Sequence, residues 1–196
     1  MKKIYLIGDS IRAGATGSPG YGIYVAEKLA GKAEVYAPKA SAAFGQHTFR
    51  YLHEWAADVP KAEINVVHWN NGLWDVLRLL GDDPFTDIYY YGVILTRLHK
   101  RIRLLFPNAK IIFALSTSVK EEWANKDFLR LNSDIEAYNK KAIEVLSPLG
   151  VEFNDLYSVT KSFDDAKRSD WVHFGEGGSE ILADAVIHKC FEVMEK

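Results

Sequence analysis

A short polar turn interrupts an apolar segment near the start of the chain. Residues 4–7 read Ile-Tyr-Leu-Ile, and Gly8, Asp9 and Ser10 follow at once. An apolar run of this length that ends in glycine and small polar residues is typical of a buried strand entering a turn. Ser10 therefore either caps the next segment or presents its hydroxyl as a nucleophile, and a serine hydroxyl needs a base before it can attack.

Six histidines are candidates for that base. Four of them fall in helical patterns, where a packed or surface position is the better interpretation: His47, His53, His99 and His188. His68 ends a predicted strand without an acidic neighbour, whereas His173 precedes the last helix with Asp170 three residues ahead. Such an aspartate can cap the helix, or it can hold the imidazole in one tautomer while the other ring nitrogen faces Ser10.

Apolar, strand-like segments alternate with longer amphipathic segments along the whole chain. The pattern predicts five strands, at residues 3–8, 33–38, 63–69, 109–116 and 151–155. It predicts five helices, at residues 21–31, 46–58, 86–106, 128–150 and 176–196. This alternation is typical of a parallel sheet with helices on both faces, so we predict one α/β domain, residues 1–196, built as a three-layer αβα sandwich.

The polar residues of interest follow the carboxyl ends of the predicted strands. Ser10 follows the first strand, residues 70–72 follow the third, and Ser116 to Ser118 end and follow the fourth. Ligands of open parallel sheets bind in the crevice beyond these carboxyl ends. We therefore expect these residues to lie at one rim of the sheet.

Composition and missing motifs exclude several classes of function. The net charge of −2, from 24 basic and 26 acidic residues, gives no electrostatic reason to expect a nucleic acid or a membrane as partner. Cys190 is the only cysteine, so no internal disulfide forms. The histidines and carboxylates lack metal-ligand spacing, and no phosphate-binding glycine motif follows a strand, so we expect neither metal nor cofactor. No signal peptide is apparent, and the default expectation is a cytoplasmic protein.

The order and spacing of these motifs resemble those of the SGNH hydrolases, also called the GDSL esterase/lipase family. Residues 8–11, Gly-Asp-Ser-Ile, are similar to the family's first block, and Asp170 with His173 matches the Asp-x-x-His of its last block. The third block, Gly-x-Asn-Asp, aligns with residues 68–71. The resemblance implies the SGNH hydrolase fold with its flavodoxin-like, five-stranded parallel sheet. It also implies a serine esterase of short-chain acyl esters, with Ser10, His173 and Asp170 as its catalytic triad.

The resemblance further assigns the groups that would bind the oxyanion of an acyl-transfer intermediate. The N–H of Ser10 and the side-chain amide of Asn70 match two of them. The third is a backbone N–H after the second strand, at a position where the family has glycine. The spacing here points to Ala42, and Gly45 is the nearest glycine.

Side chains beside these motifs are candidates for the lining of a substrate pocket: His68, Trp69, Asn71, Trp74 and Trp171. Asp9 is expected to organise the turn, while Arg12 lies either at the pocket mouth or on the surface. Aromatic rings here either stack on a substrate or simply pack the loops. No large apolar lid is apparent, which favours short acyl groups, with the O-acetyl group of a carbohydrate as the more specific expectation.

Two other interpretations remain open. The same triad would serve an acyl thioesterase or an acyltransferase, because these reactions differ only in which ester is attacked and which nucleophile reaches the acyl-enzyme. A non-catalytic, flavodoxin-like module would bind a ligand in the same crevice. If the protein is an esterase, its expected partner is a small-molecule or carbohydrate ester. The sequence does not predict an oligomeric state.

Overall fold

In the computed structural model, which describes residues 1–196, a five-stranded parallel sheet carries the rest of the molecule. The chain contains seven strands: β1 (Lys2–Ile7), β2 (Ala33–Tyr36), β3 (Val66–Trp69), β4 (Arg78–Leu79), β5 (Lys110–Ala114), β6 (Phe128–Leu129) and β7 (Glu152–Asn154). The parallel sheet has the order β2-β1-β3-β5-β7, and β4 and β6 pair separately as a short antiparallel ribbon. The predicted five-stranded α/β fold is confirmed.

The central strands are apolar because the sheet is covered on both faces. Residues 4–7 of β1 and all four residues of β3 are buried, and Ile4 pairs with Val35 on one side and Val66 on the other. Strands buried on both faces read as continuous hydrophobic runs rather than as alternating patterns. His68 is the exception within β3, and its surroundings are described below.

Seven helices connect and cover the strands: α1 (Ser10–Ala13), α2 (Tyr21–Lys28), α3 (Gly45–Trp55), α4 (Ile88–Leu105), α5 (Asn132–Leu146), α6 (Leu156–Lys161) and α7 (Glu176–Glu195). Right-handed crossovers place α2 on one face of the sheet and α3, α4 and α5 on the other, and α7, which follows the last strand, lies beside α2. The observed packing agrees, since α2 contacts α7 while α4 contacts both α3 and α5. None of the seven helices has the length and apolar character needed to span a membrane.

The predicted helix at residues 128–150 is too long at both ends. Phe128 and Leu129 pair with β4 as a strand, and the helix begins only at Asn132. It ends at Leu146, where a 3₁₀ turn, Ser147–Leu149, takes over. Pro148 lacks the N–H that a longer helix would need. The short helices α1 and α6 were not predicted, because four to six residues hold too little of the helical period to show it.

Candidate active site

The turn after β1 places Ser10 at the carboxyl edge of the sheet. Asp9 caps α1, with its Oδ1 accepting a hydrogen bond from the N–H of Ile11 at 2.9 Å. Its backbone carbonyl also accepts from the N–H groups of Arg12 and Ala13. Aspartate is among the preferred helix N-caps, because its side chain satisfies a free backbone donor. Ser10 is therefore the first helical residue, directly beyond the end of a buried strand.

Arg12 anchors this turn to the segment that follows β2. The residue is 5% exposed, and its guanidinium donates to the carbonyl oxygens of Pro38 at 2.8 Å, Ala40 at 2.7 Å and Gly8 at 3.3 Å. The expectation that Arg12 lies at the pocket mouth or on the surface is wrong. Five planar donors suit the arginine side chain to binding several carbonyl oxygens at once, and here they fix the position of α1.

His173 reaches Ser10 from the opposite end of the chain. Its Nε2 lies 2.8 Å from the Oγ of Ser10, across a sequence separation of 163 residues. Its Nδ1 lies 2.7 Å from Oδ2 of Asp170. The other carboxylate oxygen, Oδ1, accepts from the backbone N–H groups of Val172 and His173, both at 2.7 Å. A hydroxyl, an imidazole and a carboxylate are thus hydrogen-bonded in series, with the carboxylate held by its own loop.

The loop around Asp170 keeps this carboxylate charged. Partial burial raises the pKa of Asp170, but the hydrogen bonds from the backbone and side chain of His173 and from the Val172 N–H outweigh it, and the pKa lies below its ordinary value. Hydrogen bonds to the ionised form favour that form. An ionised Asp170 stabilises one tautomer of His173, with the proton on Nδ1, and leaves Nε2 as an acceptor for the hydroxyl of Ser10.

Asp9 has a different environment on the inner side of Ser10. It is 1% exposed, and burial raises the pKa of its carboxyl, partly offset by the hydrogen bond from Ile11. Its Oδ2 has no hydrogen-bond partner in the protein, and the residue lines a small cavity of about 10 Å³ together with Tyr21, Asn70 and Thr117. The expected role of Asp9 in organising the turn fits its capping geometry.

The predicted backbone donor Ala42 requires a correction. Its N–H already donates to the carbonyl oxygen of Gly8 at 2.9 Å, and the residue is fully buried. The next residue, Ala43, is partly exposed and has a φ of 47°, in the left-handed region that favours glycine. Its N–H makes only a 3.2 Å contact with Oγ of Ser41. The glycine-like position in this loop is therefore Ala43.

Asn71 supports this loop from the core of the protein and does not line a pocket. It is fully buried, and its Nδ2 donates to the carbonyl oxygen of Ala43 at 2.9 Å and to Oγ1 of Thr48 at 2.8 Å. Its Oδ1 accepts from Nε1 of Trp69 at 2.7 Å, and Trp69 is also fully buried. The predictions that Asn71 and Trp69 line the pocket are wrong, because both side chains point into the core to support the loop at Ala43.

Asp75 and Gly45 fix the other end of the same loop. The N–H of Gly45, the first residue of α3, donates to both carboxylate oxygens of Asp75, at 3.2 and 3.3 Å. A Cβ at position 45 would come within 2.8 Å of Cγ2 of Ile94, so glycine is required by close packing. Burial raises the pKa of Asp75 to about 7. No motif in the sequence distinguishes this aspartate from the other acidic residues.

Asn70 lies between β1 and β5, next to the turn that carries Ser10. Its backbone N–H donates to the carbonyl oxygen of Ile7 at 3.0 Å. Its side-chain Nδ2 donates to the carbonyl oxygen of Ala114 at 2.8 Å, and its only other partner is Oγ of Ser116 at 3.5 Å. An amide nitrogen carries two hydrogens. One is committed to Ala114, and the second has only the long contact to Ser116.

His68 lies in the core and not at the rim of the crevice. It is fully buried in β3, and burial lowers its pKa to about 3. Its Nε2 is 3.2 Å from Nδ2 of Asn154, its ring meets that of Tyr21 edge to face, and Nδ1 has no partner. The prediction that His68 lines the pocket is wrong, because a side chain within a doubly covered strand faces a helix layer rather than the edge.

A cavity of about 170 Å³ opens beside Ser10 and His173. Trp74 and Trp171, both predicted to line the pocket, lie at its wall. Four further residues line it that sequence reasoning did not identify: Leu73, Phe128, Arg130 and Val172. Phe128 and Arg130 were assigned to a helix, so nothing in the pattern indicated that they approach the site. No group of three or more His, Cys, Asp or Glu side chains is arranged to hold a metal ion.

A serine, a histidine and an aspartate in series at the carboxyl edge of a parallel sheet is an arrangement used by serine hydrolases. The sequence model of the GDSL-like lipase/acylhydrolase family matches residues 6–181. The chain belongs to this family, and the predicted resemblance and hydrolase class are confirmed.

Known proteins resemble the chain over nearly all of its length. The GDSL esterase/lipase CPRD49 of Arabidopsis thaliana is 24% identical, in an alignment that covers 94% of this chain and 77% of that protein. A lipase/acylhydrolase from Enterococcus faecalis superposes with a TM-score of 0.76 at 19% identity, covering 96% of this chain and 95% of the other. The acetyl xylan esterase AlAXEase superposes with a TM-score of 0.72 at 16% identity, covering 95% and 98%.

Proposed function

We propose that the protein is a serine esterase that hydrolyses short acyl esters, with Ser10 as the nucleophile. The observation that carries this proposal is the unbroken hydrogen-bonded series from Oγ of Ser10 through His173 to Asp170, at 2.8 and 2.7 Å. Both distances lie within the range in which a base takes a proton directly from a nucleophile. Membership in a hydrolase family argues against a non-catalytic binding module.

In the proposed reaction, Oγ of Ser10 attacks the acyl carbon while Nε2 of His173 takes the hydroxyl proton. His173 then gives this proton to the departing alcohol oxygen, which leaves an acyl-enzyme on Ser10. Water attacks the acyl-enzyme with the same base, and the acid and the free serine are released. Asp170 orients His173 and stabilises the imidazolium that forms in each half of the reaction.

Three donors are proposed to bind the negatively charged oxygen that develops on the substrate: the N–H of Ser10, the N–H of Ala43 and Nδ2 of Asn70. Ala43 replaces Ala42 in this role because the N–H of Ala42 is already bonded to Gly8. The contact between Ala43 and the Ser41 hydroxyl is weak enough to be exchanged for an oxyanion. Such donors act mainly on the transition state, and removing one typically costs about 3 kcal/mol.

The size of the cavity supports a short acyl group. Its volume of about 170 Å³ is below the ~300 Å³ at which drug-sized ligands are usually enclosed. Trp74 and Trp171 line the cavity beside the serine, and an aromatic wall suits a sugar ring. Similarity in fold to an acetyl xylan esterase points in the same direction. We therefore infer the O-acetyl ester of a carbohydrate as the substrate class.

The test combines covalent labelling with turnover. A fluorophosphonate should label the wild-type protein once, at Ser10, and Ser10→Ala should neither label nor hydrolyse 4-nitrophenyl acetate. Ser162→Ala is the matched control, because Ser162 is an exposed serine that donates only to the Val159 carbonyl. Wild-type activity in Ser10→Ala would overturn the proposal. Acetylated sugars and acetyl thioesters, assayed side by side, then separate the esterase from a thioesterase.

A further inference from the structure

Arg130 is a buried arginine in the wall of the cavity beside Ser10. It lies between β6 and α5, is 3% exposed, and lines the cavity together with Ser10 and His173. Its Nε donates to the carbonyl oxygen of Leu73. That hydrogen bond fixes the plane of the guanidinium and leaves its two terminal nitrogens without an acceptor in the protein.

Three aromatic rings surround this guanidinium. Its central carbon lies 5.4 Å from the ring centroids of Trp74 and Phe128 and 5.3 Å from that of Trp171. Cation–π contacts at such distances stabilise a cation that has lost water. Arg130 takes part in no ion pair, and Asp9 and Asp170 act on it only at longer range. Burial lowers the pKa of Arg130 to about 10, and these two carboxylates partly offset that decrease. Arg130 therefore remains charged at neutral pH.

Two other arginines, the buried Arg12 and the half-buried Arg168, are bonded in a different way. Arg12 donates its terminal nitrogens to three carbonyl oxygens, and Arg168 donates to Ser118 and to the Thr160 carbonyl. Those contacts account for both side chains as braces between loops. Arg130 has no equivalent contacts at its terminal nitrogens. Burying an unpaired charge is costly, and such groups concentrate where a ligand supplies the missing partner.

We propose that Arg130 and its three rings form a subsite for a carboxylate carried by the ester substrate. The paired N–H groups of a guanidinium match the two oxygens of a carboxylate. A monoanion balances the single charge of Arg130, whereas a phosphate dianion would meet Asp170, which lines the same cavity. The proposal rests on the esterase function above and narrows its substrates to esters of acidic compounds.

The carboxylate can belong to the alcohol half or to the acyl half of the ester, and two pairs of substrates distinguish these sources. In the first pair, 4-acetoxybenzoate is compared with its methyl ester. In the second, mono-4-nitrophenyl succinate is compared with 4-nitrophenyl pentanoate. Hydrolysis in buffer alone is subtracted in every case. The measured quantity is the ratio of kcat/KM for the acidic ester to kcat/KM for the neutral one.

We expect Arg130→Gln to lower this ratio by about tenfold or more in one of the two pairs, because a charge-assisted hydrogen bond is lost. Arg130→Lys should retain part of the preference, since it keeps the charge without the planar pair of donors. Arg97→Gln is the control, because Arg97 is exposed and stacks on the ring of Phe49 away from the cavity. If Arg130→Gln leaves this ratio unchanged in both pairs, for example because activity on acidic and neutral esters falls equally, the subsite proposal is overturned.

A binding measurement separates this proposal from the esterase proposal. Benzoate is titrated into Ser10→Ala while tryptophan fluorescence is followed, since Trp74 and Trp171 flank Arg130. Saturable binding that is weakened by Arg130→Lys and abolished by Arg130→Gln supports the subsite. This holds even if the wild-type protein hydrolyses no ester, and then only the esterase proposal fails. Absence of benzoate binding in folded Ser10→Ala, with acidic and neutral esters hydrolysed alike, refutes the subsite and leaves the esterase proposal standing.

Discussion

Ser10 stands between two sides of the crevice that are built in different ways. On one side, which we propose to be the acid–base side, His173 and Asp170 reach Ser10 as side chains from one loop, with their hydrogen bonds made to each other and to that loop. On the other side, which we propose to be the oxyanion side, residues 42–45 present backbone, and fully buried side chains hold that backbone in place. Asn71 fixes the carbonyl of Ala43, and Asp75 fixes the N–H of Gly45.

This difference predicts different consequences of substitution. A side chain on the acid–base side is partly exposed and contributes little to the hydrophobic core, so its removal should lower turnover and leave the fold intact. A buried anchor on the oxyanion side holds several polar groups, so its removal should lower the stability as well. The ratio of lost activity to lost stability therefore distinguishes the two sides.

The largest effect is expected for His173→Ala, which should lower kcat on short aryl esters by about 10⁴-fold or more, because no other base touches Ser10. Its melting temperature should stay close to that of the wild type. His68→Leu is the matched histidine variant; it keeps the volume of a fully buried side chain and should hydrolyse the same esters within a few fold of the wild-type rate. If His173→Ala were active and His68→Leu inactive in a folded protein, the acid–base side would be misassigned.

Asp170→Asn should give the next largest effect, a loss in kcat of about 10³-fold. The amide keeps the shape of the carboxylate, but it no longer stabilises the imidazolium and can favour the wrong tautomer of His173. Steady-state kinetics with 4-nitrophenyl acetate measure the loss, and circular dichroism verifies the fold. A loss greater than that of His173→Ala would mean that Asp170 does more than orient the imidazole.

Asn70→Ala and Asn71→Ala compare neighbouring residues on the oxyanion side. Asn70→Ala should lower kcat by about 100-fold with a smaller change in KM, because the amide acts on the transition state. Asn71→Ala should also lower the stability, by about 1–3 kcal/mol, since Trp69, Thr48 and the Ala43 carbonyl lose a buried partner. Urea unfolding followed by fluorescence measures that difference. A purely kinetic effect of Asn71→Ala, with Asn70→Ala fully active, would shift the alignment by one residue.

Asp75→Asn tests the support beneath the oxyanion side through pH. The folded-state pKa of about 7 exceeds the ordinary 3.8, so the folded protein binds more protons in this interval and Asp75 lowers the stability as pH rises from about 4 to 7. The amide still accepts from Gly45 without a charge. The variant should therefore gain on the order of 4 kcal/mol over the wild type between pH 4 and pH 8, because the shift is about three pKa units and each unit is worth about 1.4 kcal/mol. A stability difference independent of pH would show that burial does not penalise this carboxylate.

The acid–base side was visible in the sequence because it depends on residue types. Serine after a strand, and an Asp-x-x-His before the last helix, are motifs of side chains whose chemistry is specific. The alternation of strands and helices places both at one edge, which requires no knowledge of packing. The same alternation is what predicted the five-stranded sheet.

The oxyanion side and the cavity wall depend on packing that residue types do not encode. Every residue type except proline carries the N–H that Ala43 presents. What distinguishes Ala43 is its backbone angle, in a loop whose carbonyl Asn71 holds. His68 has the right chemistry, but it points into the core because of its place along β3. The sequence pattern predicts a helix over residues 128–150, which includes Arg130. The pairing of β4 with β6 instead brings Arg130 to the cavity beside Ser10.

The separation of 163 residues between Ser10 and His173 also bears on how the chain folds. Every neighbouring pair in the five-stranded sheet is parallel, so none of these strand pairs can form through a tight hairpin. Topologies rich in distant contacts fold slowly, because loops must close before those contacts form. The two halves of the site meet only after β1 and the loop before α7 have docked on the same edge. We therefore expect the recovery of ester hydrolysis during refolding to lag behind the far-ultraviolet circular dichroism signal, because activity needs this docking and helix formation does not.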